Sequence, residues 1–295
     1  MNKLKIYLVL ILVLQFSCKE EKEPTAKKNV NQVTTEEFSS EFSTYPVCIE
    51  KVEIDQVQSS PFIFDSDSLF NSRIENMVQF RTLKKEYSNF ELLQDQDFAA
   101  ILMPYKWEKQ EFKVAFIGGT LKQKNRVAET AKEWENKGNI RFKFGNYKDP
   151  DISISFLEGE GSWSYIGKAS KDFYPSMNFG WLKDNTPQEE YDRVVLHEFG
   201  HALGYIHEHQ HPDAGIPWNK PIVYQYYRRL GWSDSQIENN IFRKYDRSIL
   251  NYTDFDTESI MLYAIDNRLT NGDYSTNWNT QISSLDSLLL NIVYP

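Results

Sequence analysis

The sequence predicts an α+β fold, in which a mixed sheet carries two long helices and a less regular region ends in a C-terminal helix. Three observations predict it. Apolar and polar residues alternate over 140–144 and again over 152–156, which is typical of half-buried strands. Two helical segments flank these strands, at 123–137 and at about 186–204. Regular patterns then fade until a short apolar helix closes the chain.

Each element before the second helix has its own local signal. The apolar run from Phe112 to Ile117 predicts the first strand, and 177–181 predicts a later short one. The first long helix covers 123–137 and ends at Gly138, because glycine favours helix termination. Its apolar face consists of Val127, Ala128, Ala131 and Trp134.

The second long helix is predicted to open with Thr186-Pro187-Gln188-Glu189. Threonine followed three residues later by glutamate is a capping box, and proline suits the first helical position. The helix ends near Gly204. Beyond it the chain is predicted to be irregular until Ser283 or Ser284 caps a final helix that runs to about Val293.

Histidine spacing is the strongest functional signal. All five histidines of the 295 residues lie between His197 and His211. His197 and His201 are four residues apart, so on a helix both imidazoles lie on one face. Gly204 permits a sharp exit from the helix, after which His207 can return a third imidazole. Catalytic zinc takes three protein ligands and keeps one position for water, so the spacing predicts one Zn²⁺ per chain.

Glu198 stands beside the first ligand and is the predicted general base, which takes a proton from the metal's water and passes it to the leaving amine. A bare His-Glu-x-x-His on a surface helix also arises by chance. Gly204 and His207 complete His-Glu-x-x-His-x-x-Gly-x-x-His, the extended zinc motif of metzincin proteases. His209 and His211 are predicted to be rim or surface residues.

From about Phe98 to Pro295 the chain resembles the astacin family of metzincins. Four segments carry the resemblance in addition to the zinc motif: Ala99-Ala100-Ile101-Leu102, Gly161-Ser162-Trp163-Ser164-Tyr165-Ile166-Gly167, Glu208, and Ser259-Ile260-Met261-Leu262-Tyr263. Glu208 separates astacins from the other metzincin branches. Ser162 replaces a family cysteine, and His211 replaces a family arginine. These departures leave the substrate preference open, and the sequence that carries them is similar to a disulfide-free bacterial branch of the family.

The resemblance implies the metzincin zincin fold, with a sheet and two helices in an upper lobe, a looser lower lobe and a cleft between them. It implies that the Met-turn, Ser259–Tyr263, places Met261 as an apolar floor under the ligands and Tyr263 beside the metal, where its phenol stabilises the oxyanion. It also implies that an extended substrate pairs antiparallel with an edge strand formed by Trp163, Ser164 and Tyr165.

The first residues resemble a bacterial lipoprotein signal over 1–17, with Lys3 and Lys5 before an apolar run and Cys18 as the lipidated residue. An ordinary cleaved signal peptide is the alternative, so the protein is expected at the outer membrane or cell surface, or secreted. Only Cys48 remains besides Cys18, which excludes an intrachain disulfide in the mature protein. The net charge of −9 argues against nucleic acid as a partner.

Residues 19–97 are predicted to be a tether and an N-terminal extension, followed by a peptidase domain over 98–295. In astacins the mature chain starts near an Ala-Ala-Ile-Leu-like sequence, and its ammonium group reaches the glutamate after the third histidine. The presence of Ala99-Ala100 and Glu208 implies that cleavage near Phe98 releases a pro-segment. Alternatively, the chain runs through this point uncut and residues 45–97 are a spacer.

The sequence therefore predicts a zinc endopeptidase that hydrolyses peptide bonds of extracellular proteins through a zinc-activated water. A catalytically silent, zinc-containing surface binding or adhesion module is the alternative. Such a module needs neither Glu198 nor Tyr263, and both residues are present.

Overall fold

The computed structural model describes residues 49–51, 100–252 and 255–295, all within one compact unit that runs from Ser43 to Pro295. The predicted signal, Cys18, Cys48 and nearly all of the N-terminal extension lie outside the described residues. Across the described ranges, every helix is too short or too polar to cross a bilayer.

The main sheet of the described region has six strands in the order β1-β6-β7-β5-β3-β4. These strands are β1 (Ile49–Lys51), β3 (Glu111–Ile117), β4 (Arg141–Phe144), β5 (Ile152–Ser155), β6 (Ser162–Tyr165) and β7 (Met177–Phe179). The pair of β6 and β7 is antiparallel and the other pairs are parallel, so the sheet is mixed, as predicted. A separate antiparallel pair joins β2 (Ala100–Leu102) to β8 (Leu250–Tyr252).

Strand β5 differs from the prediction of a half-buried strand, because all four of its residues are buried. It lies inside the sheet, between β3 and β7. Its serines are tolerated there because their hydroxyls are hydrogen-bonded: Ser155 Oγ donates to Asn178 Oδ1 at 2.7 Å, and Ser153 Oγ donates to the carbonyl of Phe173 at 3.3 Å. Strand β4 alternates as predicted, with Phe142 buried.

The first long helix, α1 (Leu121–Lys137), begins two residues earlier than predicted because Thr120 caps it. Thr120 Oγ1 accepts from the amide of Gln123, and the amide of Thr120 donates to Gln123 Oε1. Its buried residues are Gln123, Val127, Thr130, Ala131 and Trp134. Trp134 Nε1 donates to the carbonyl of Leu196 at 3.0 Å, which joins α1 to the second long helix.

The second long helix, α2 (Gln188–Leu203), starts without the predicted capping box, so that prediction is wrong. The hydroxyl of Thr186 instead accepts from the amide of Lys183 at 2.8 Å, and Pro187 occupies the cap position. The helix ends as predicted, because Gly204 adopts the left-handed conformation with φ of +106°.

The region after α2 is less irregular than predicted. It contains α3 (Lys220–Arg229) and the short α4 (Asp234–Ile237). Helix α3 buries Val223 and Tyr227. The final helix, α5 (Ser284–Val293), is confirmed, and the side chain of Ser283 caps it.

Candidate metal centre and active site

The three predicted ligands, His197, His201 and His207, come together in the fold. One ring nitrogen from each lies within 4.8 Å of the other two, and all three residues are buried. Nε2 of His201 and Nε2 of His207 are 3.1 Å apart. Helix α2 supplies the first two imidazoles from one face, and the third returns from the segment after the helix.

Strand β2 directs the chain after α2. The carbonyl of Gly204 accepts from the amide of Leu102 at 2.9 Å, and the amide of Ile206 donates to the carbonyl of Ala100 at 3.2 Å. A Cβ atom at Gly204 would lie 3.3 Å from Ile101 Cγ2 and would be strained by the positive φ. Glycine therefore permits both the turn and the close approach of β2, and the turn brings His207 to the other imidazoles.

The Nδ1 atoms of the three histidines point away from the cluster and donate hydrogen bonds. Nδ1 of His197 is 2.9 Å from the carbonyl oxygen of Ile260, and Nδ1 of His201 is 2.9 Å from that of Tyr205. Nδ1 of His207 lies 3.3 Å from Gln210 Oε1. These bonds assign the proton of each neutral ring to Nδ1, so the lone pairs on Nε2 face the shared centre.

Burial keeps these rings neutral. It lowers the pKa of His201 to about 4, and it lowers the pKa of His197 and His207 well below the ordinary value. Neutral imidazole is the form that binds a metal. Buried Nε2 of His197 has no hydrogen-bond partner among the described residues. Converging lone pairs of this kind repel one another unless a cation lies between them, so three neutral imidazoles fit Zn²⁺.

Glu198, Met261 and Tyr263 are the other predicted residues of the site. Glu198 follows the first ligand on α2 and is completely buried. The ring centroid of Tyr263 lies 4.3 Å from that of His207 and 5.8 Å from that of His197. A Cβ atom at Gly200 would come within 2.4 Å of the Met261 sulfur, so Met261 packs directly against α2 between the two ligands of that helix.

The prediction for His209 and His211 is wrong, because both side chains are completely buried. Nε2 of His209 donates to the carbonyl of Asn240 at 2.6 Å, and its ring centroid lies 4.6 Å from that of Tyr263. Nδ1 of His211 accepts from the amide of Asp213 at 3.0 Å. His209 thus packs against both Tyr263 and the predicted ligand His207, whose ring centroid lies 5.2 Å away, and spacing along the chain does not reveal these contacts.

Glu208 lies in a buried polar cluster that the sequence did not reveal. Its Oε1 accepts from the amide of Asp256 at 2.7 Å, while Oε2 has no hydrogen-bond partner among the described residues. Burial raises the pKa of Glu208 well above the ordinary value. Ser283 Oγ donates to Asp256 Oδ2 at 2.7 Å, and the carboxylate of Asp286 follows one turn later. The Ser283-x-x-Asp286 pattern signals only a helix cap.

Strand β6 contains Trp163, Ser164 and Tyr165, the predicted substrate edge. One side of β6 pairs antiparallel with β7. Its other side pairs parallel with β1, with Ile49 opposite Trp163 and Lys51 opposite Tyr165. The expected substrate edge is therefore already paired with a segment of the N-terminal extension.

Comparison with known sequences gives one family. The sequence pattern of the peptidase family described as "Astacin" matches residues 99–294. The chain is 34% identical to zinc metalloproteinase nas-27 of Caenorhabditis elegans over 92 residues, and this match covers 31% of this chain and 20% of that protein. It is 23% identical to protein SpAN of Strongylocentrotus purpuratus over 172 residues, and this match covers 55% of this chain and 25% of that protein. The chain thus spans a quarter or less of the length of these two relatives.

Solved structures agree with the predicted fold. A structure of myroilysin is 40% identical in sequence and superposes with a TM-score of 0.65, covering 66% of this chain and 98% of that one. A crystal structure of myroilysin gives 38% sequence identity and a TM-score of 0.52, and the match covers 70% of this chain and 93% of that one. The similarity extends over nearly the whole of each myroilysin chain, which confirms the predicted α+β zincin fold.

Proposed function

Because this chain belongs to the astacin family of peptidases, we propose that it is a zinc-dependent endopeptidase that hydrolyses peptide bonds of extracellular proteins. The observation that carries the proposal is the convergence of three neutral imidazoles beside a buried carboxylate, Glu198, and a phenol, Tyr263. A purely structural zinc site is usually closed by a fourth protein ligand, whereas three ligands leave a position for water.

Zinc in such a site lowers the pKa of its bound water to about 7 and polarises a substrate carbonyl. Glu198 takes the proton of the attacking water and later delivers it to the leaving amine. Tyr263 donates a hydrogen bond from its hydroxyl to the oxygen that gains negative charge, without bringing a charge of its own.

An extended peptide fits antiparallel along the exposed side of β6 once β1 has left it. Strand β1 now occupies that side in the parallel direction. A segment that pairs in this position competes with substrate for the same edge of β6. This supports the pro-segment interpretation of residues 19–97 over the spacer interpretation.

Export is part of the proposal. The basic start, the apolar run and Cys18 support a lipid-anchored protein at a bacterial outer membrane or cell surface, with simple secretion as the alternative. An exported enzyme of this kind acts on protein or peptide substrates outside the cell.

The proposal is tested by incubating the purified full chain with a random peptide library, with and without a zinc chelator. We expect cleavage that the chelator abolishes and added zinc restores. Full zinc content without any cleavage, both in the full chain and in a chain that begins at Ala99, would contradict the proposal. That result would indicate the silent surface module instead.

A further inference from the structure

Asp286 is a completely buried carboxylate in the first turn of α5. Its Oδ2 accepts from the amide of Ser283 at 3.0 Å, which is the return bond of the helix capping box. The same oxygen accepts from the amide of Ile260 at 2.9 Å, and Oδ1 accepts from Ser259 Oγ at 2.8 Å. Capping explains the first bond, whereas the other two hold the Met-turn.

The bond to Ile260 leads to the first zinc ligand. The amide of Ile260 donates to Asp286, and the carbonyl of the same residue accepts from Nδ1 of His197 at 2.9 Å. Both polar backbone groups of Ile260 are therefore engaged, one by the carboxylate and one by the imidazole. A displacement of Ile260 would rotate the ring of His197.

The same turn of α5 also reaches the second ligand. The hydroxyl of Tyr205 donates to the backbone carbonyl of Asp286, and the carbonyl of Tyr205 accepts from Nδ1 of His201 at 2.9 Å. The ring of Tyr205 packs against Trp134, with 5.1 Å between the ring centroids. Asp286 thus contacts both residues whose carbonyls orient the two ligands on α2.

Burying a carboxylate is costly unless hydrogen bonds and charge offset the loss of water. Burial raises the pKa of Asp286, and the bonds from Ile260, Ser259 and Ser283 act in the opposite direction. A helix cap alone does not need such a group, since Ser283 Oγ already accepts from the amides of Leu285 and Asp286. The Met-turn contacts give the buried carboxylate a further role.

We propose that Asp286 is a positioning residue of the metal centre, whose carboxylate holds Ile260 so that Nε2 of His197 stays directed at the shared centre of the three imidazoles. This rests on the metal site of the proposed function and not on peptide hydrolysis.

The test measures metal retention in the full chain. We compare the zinc-loaded parent protein with Asp286→Ala, following zinc release into excess chelator, and we record the visible spectrum of the cobalt(II)-substituted proteins. We expect zinc release to be faster by about tenfold or more, as is typical when partners of metal ligands are lost, together with a changed cobalt spectrum. Neither readout depends on cleavage of a substrate, so an inactive protein still tests the proposal.

The control is Thr120→Ala, which removes the N-cap side chain of another capping box, at the start of α1. It lowers stability by loss of a cap, but we expect zinc release and the cobalt spectrum to match the parent. If Asp286→Ala does not fold, Asp286→Asn is measured in its place, with the same expected direction. Parent-like release and a parent-like spectrum in the Asp286 variants would overturn the proposal and leave Asp286 as a helix cap.

Discussion

Nδ1 of His197 donates to the carbonyl oxygen of Ile260 at 2.9 Å, across 63 residues of sequence. This bond joins the helix that carries two zinc ligands to the Met-turn. A second bond, from the amide of Glu208 to the carbonyl of Met261 at 3.0 Å, joins the segment after the third ligand to the same turn. The two motifs of the sequence therefore form one unit, and the orientation of the ligands depends on both.

His201→Ala should abolish stoichiometric zinc binding, because two imidazoles are too few ligands for a tight site. Metal analysis of the purified variant measures this directly. The control is His211→Ala, which removes a buried imidazole outside the converging set and should leave one zinc per chain. Full occupancy in His201→Ala would refute the ligand assignment.

Glu198→Gln should retain the metal and the fold but lose general acid–base catalysis, typically 10²–10⁴-fold, or about 3–5 kcal/mol of barrier. Turnover per bound zinc is the measurement. Glu189→Gln makes the same change at an exposed position on the same helix and should leave turnover unchanged. Near-normal turnover in zinc-loaded Glu198→Gln would exclude Glu198 as the base.

Tyr263→Phe should lower kcat far more than it raises KM, since the contact of the hydroxyl with the substrate oxygen forms in the transition state. Steady-state kinetics on one peptide separate the two effects. Tyr174→Phe, at a side chain that is 68% exposed, is the control. A change confined to KM would mean that Tyr263 binds substrate without stabilising the transition state.

A chain that begins at Ala99 should be more active than the full chain, because it lacks the β1 segment that pairs with β6. The astacin resemblance implies that its new ammonium group pairs with Glu208, whose Oε2 has no hydrogen-bond partner among the described residues. Burying that carboxylate without a cation costs several kcal/mol or forces its protonation. Equal activity of the two chains, with no cleavage near Phe98 in the native host, would leave residues 45–97 as a spacer.

The carboxyl of Asp256 should make stability depend on pH. The side chain is 3% exposed, and burial raises its pKa from 3.8 to about 6. The folded state therefore holds this proton more tightly than the unfolded state does. The resulting stabilisation is complete below pH 3.8 and is lost as the pH rises through about 6, amounting to about 3 kcal/mol.

Urea unfolding of the parent and of Asp256→Asn, both with excess zinc, measures this effect as a difference between the two proteins. The parent should lose stability relative to the variant between about pH 4 and pH 6, and the difference should be constant above that range. A difference that does not change with pH would show that Asp256 titrates normally in the folded protein.

The sequence by itself determined the ligand set. His197 and His201 are brought together by the period of a single helix, and Gly204 ends that helix through its own backbone freedom. The strand periodicity and the cap at Ser283 are equally local, so these elements were predicted within a few residues. Local backbone geometry was sufficient for these elements, because their interacting groups are neighbours along the chain.

Only the tertiary structure decided which groups surround those ligands. His209 was expected at the surface, yet the fold buries it against Tyr263, 54 residues away in sequence. Thr186 has a capping pattern, but its hydroxyl accepts from the amide of Lys183 in the folded loop. Asp286 reaches Ile260 across 26 residues. Burial and hydrogen-bond partners of this kind depend on how separate elements pack, and no local period of the chain encodes that packing.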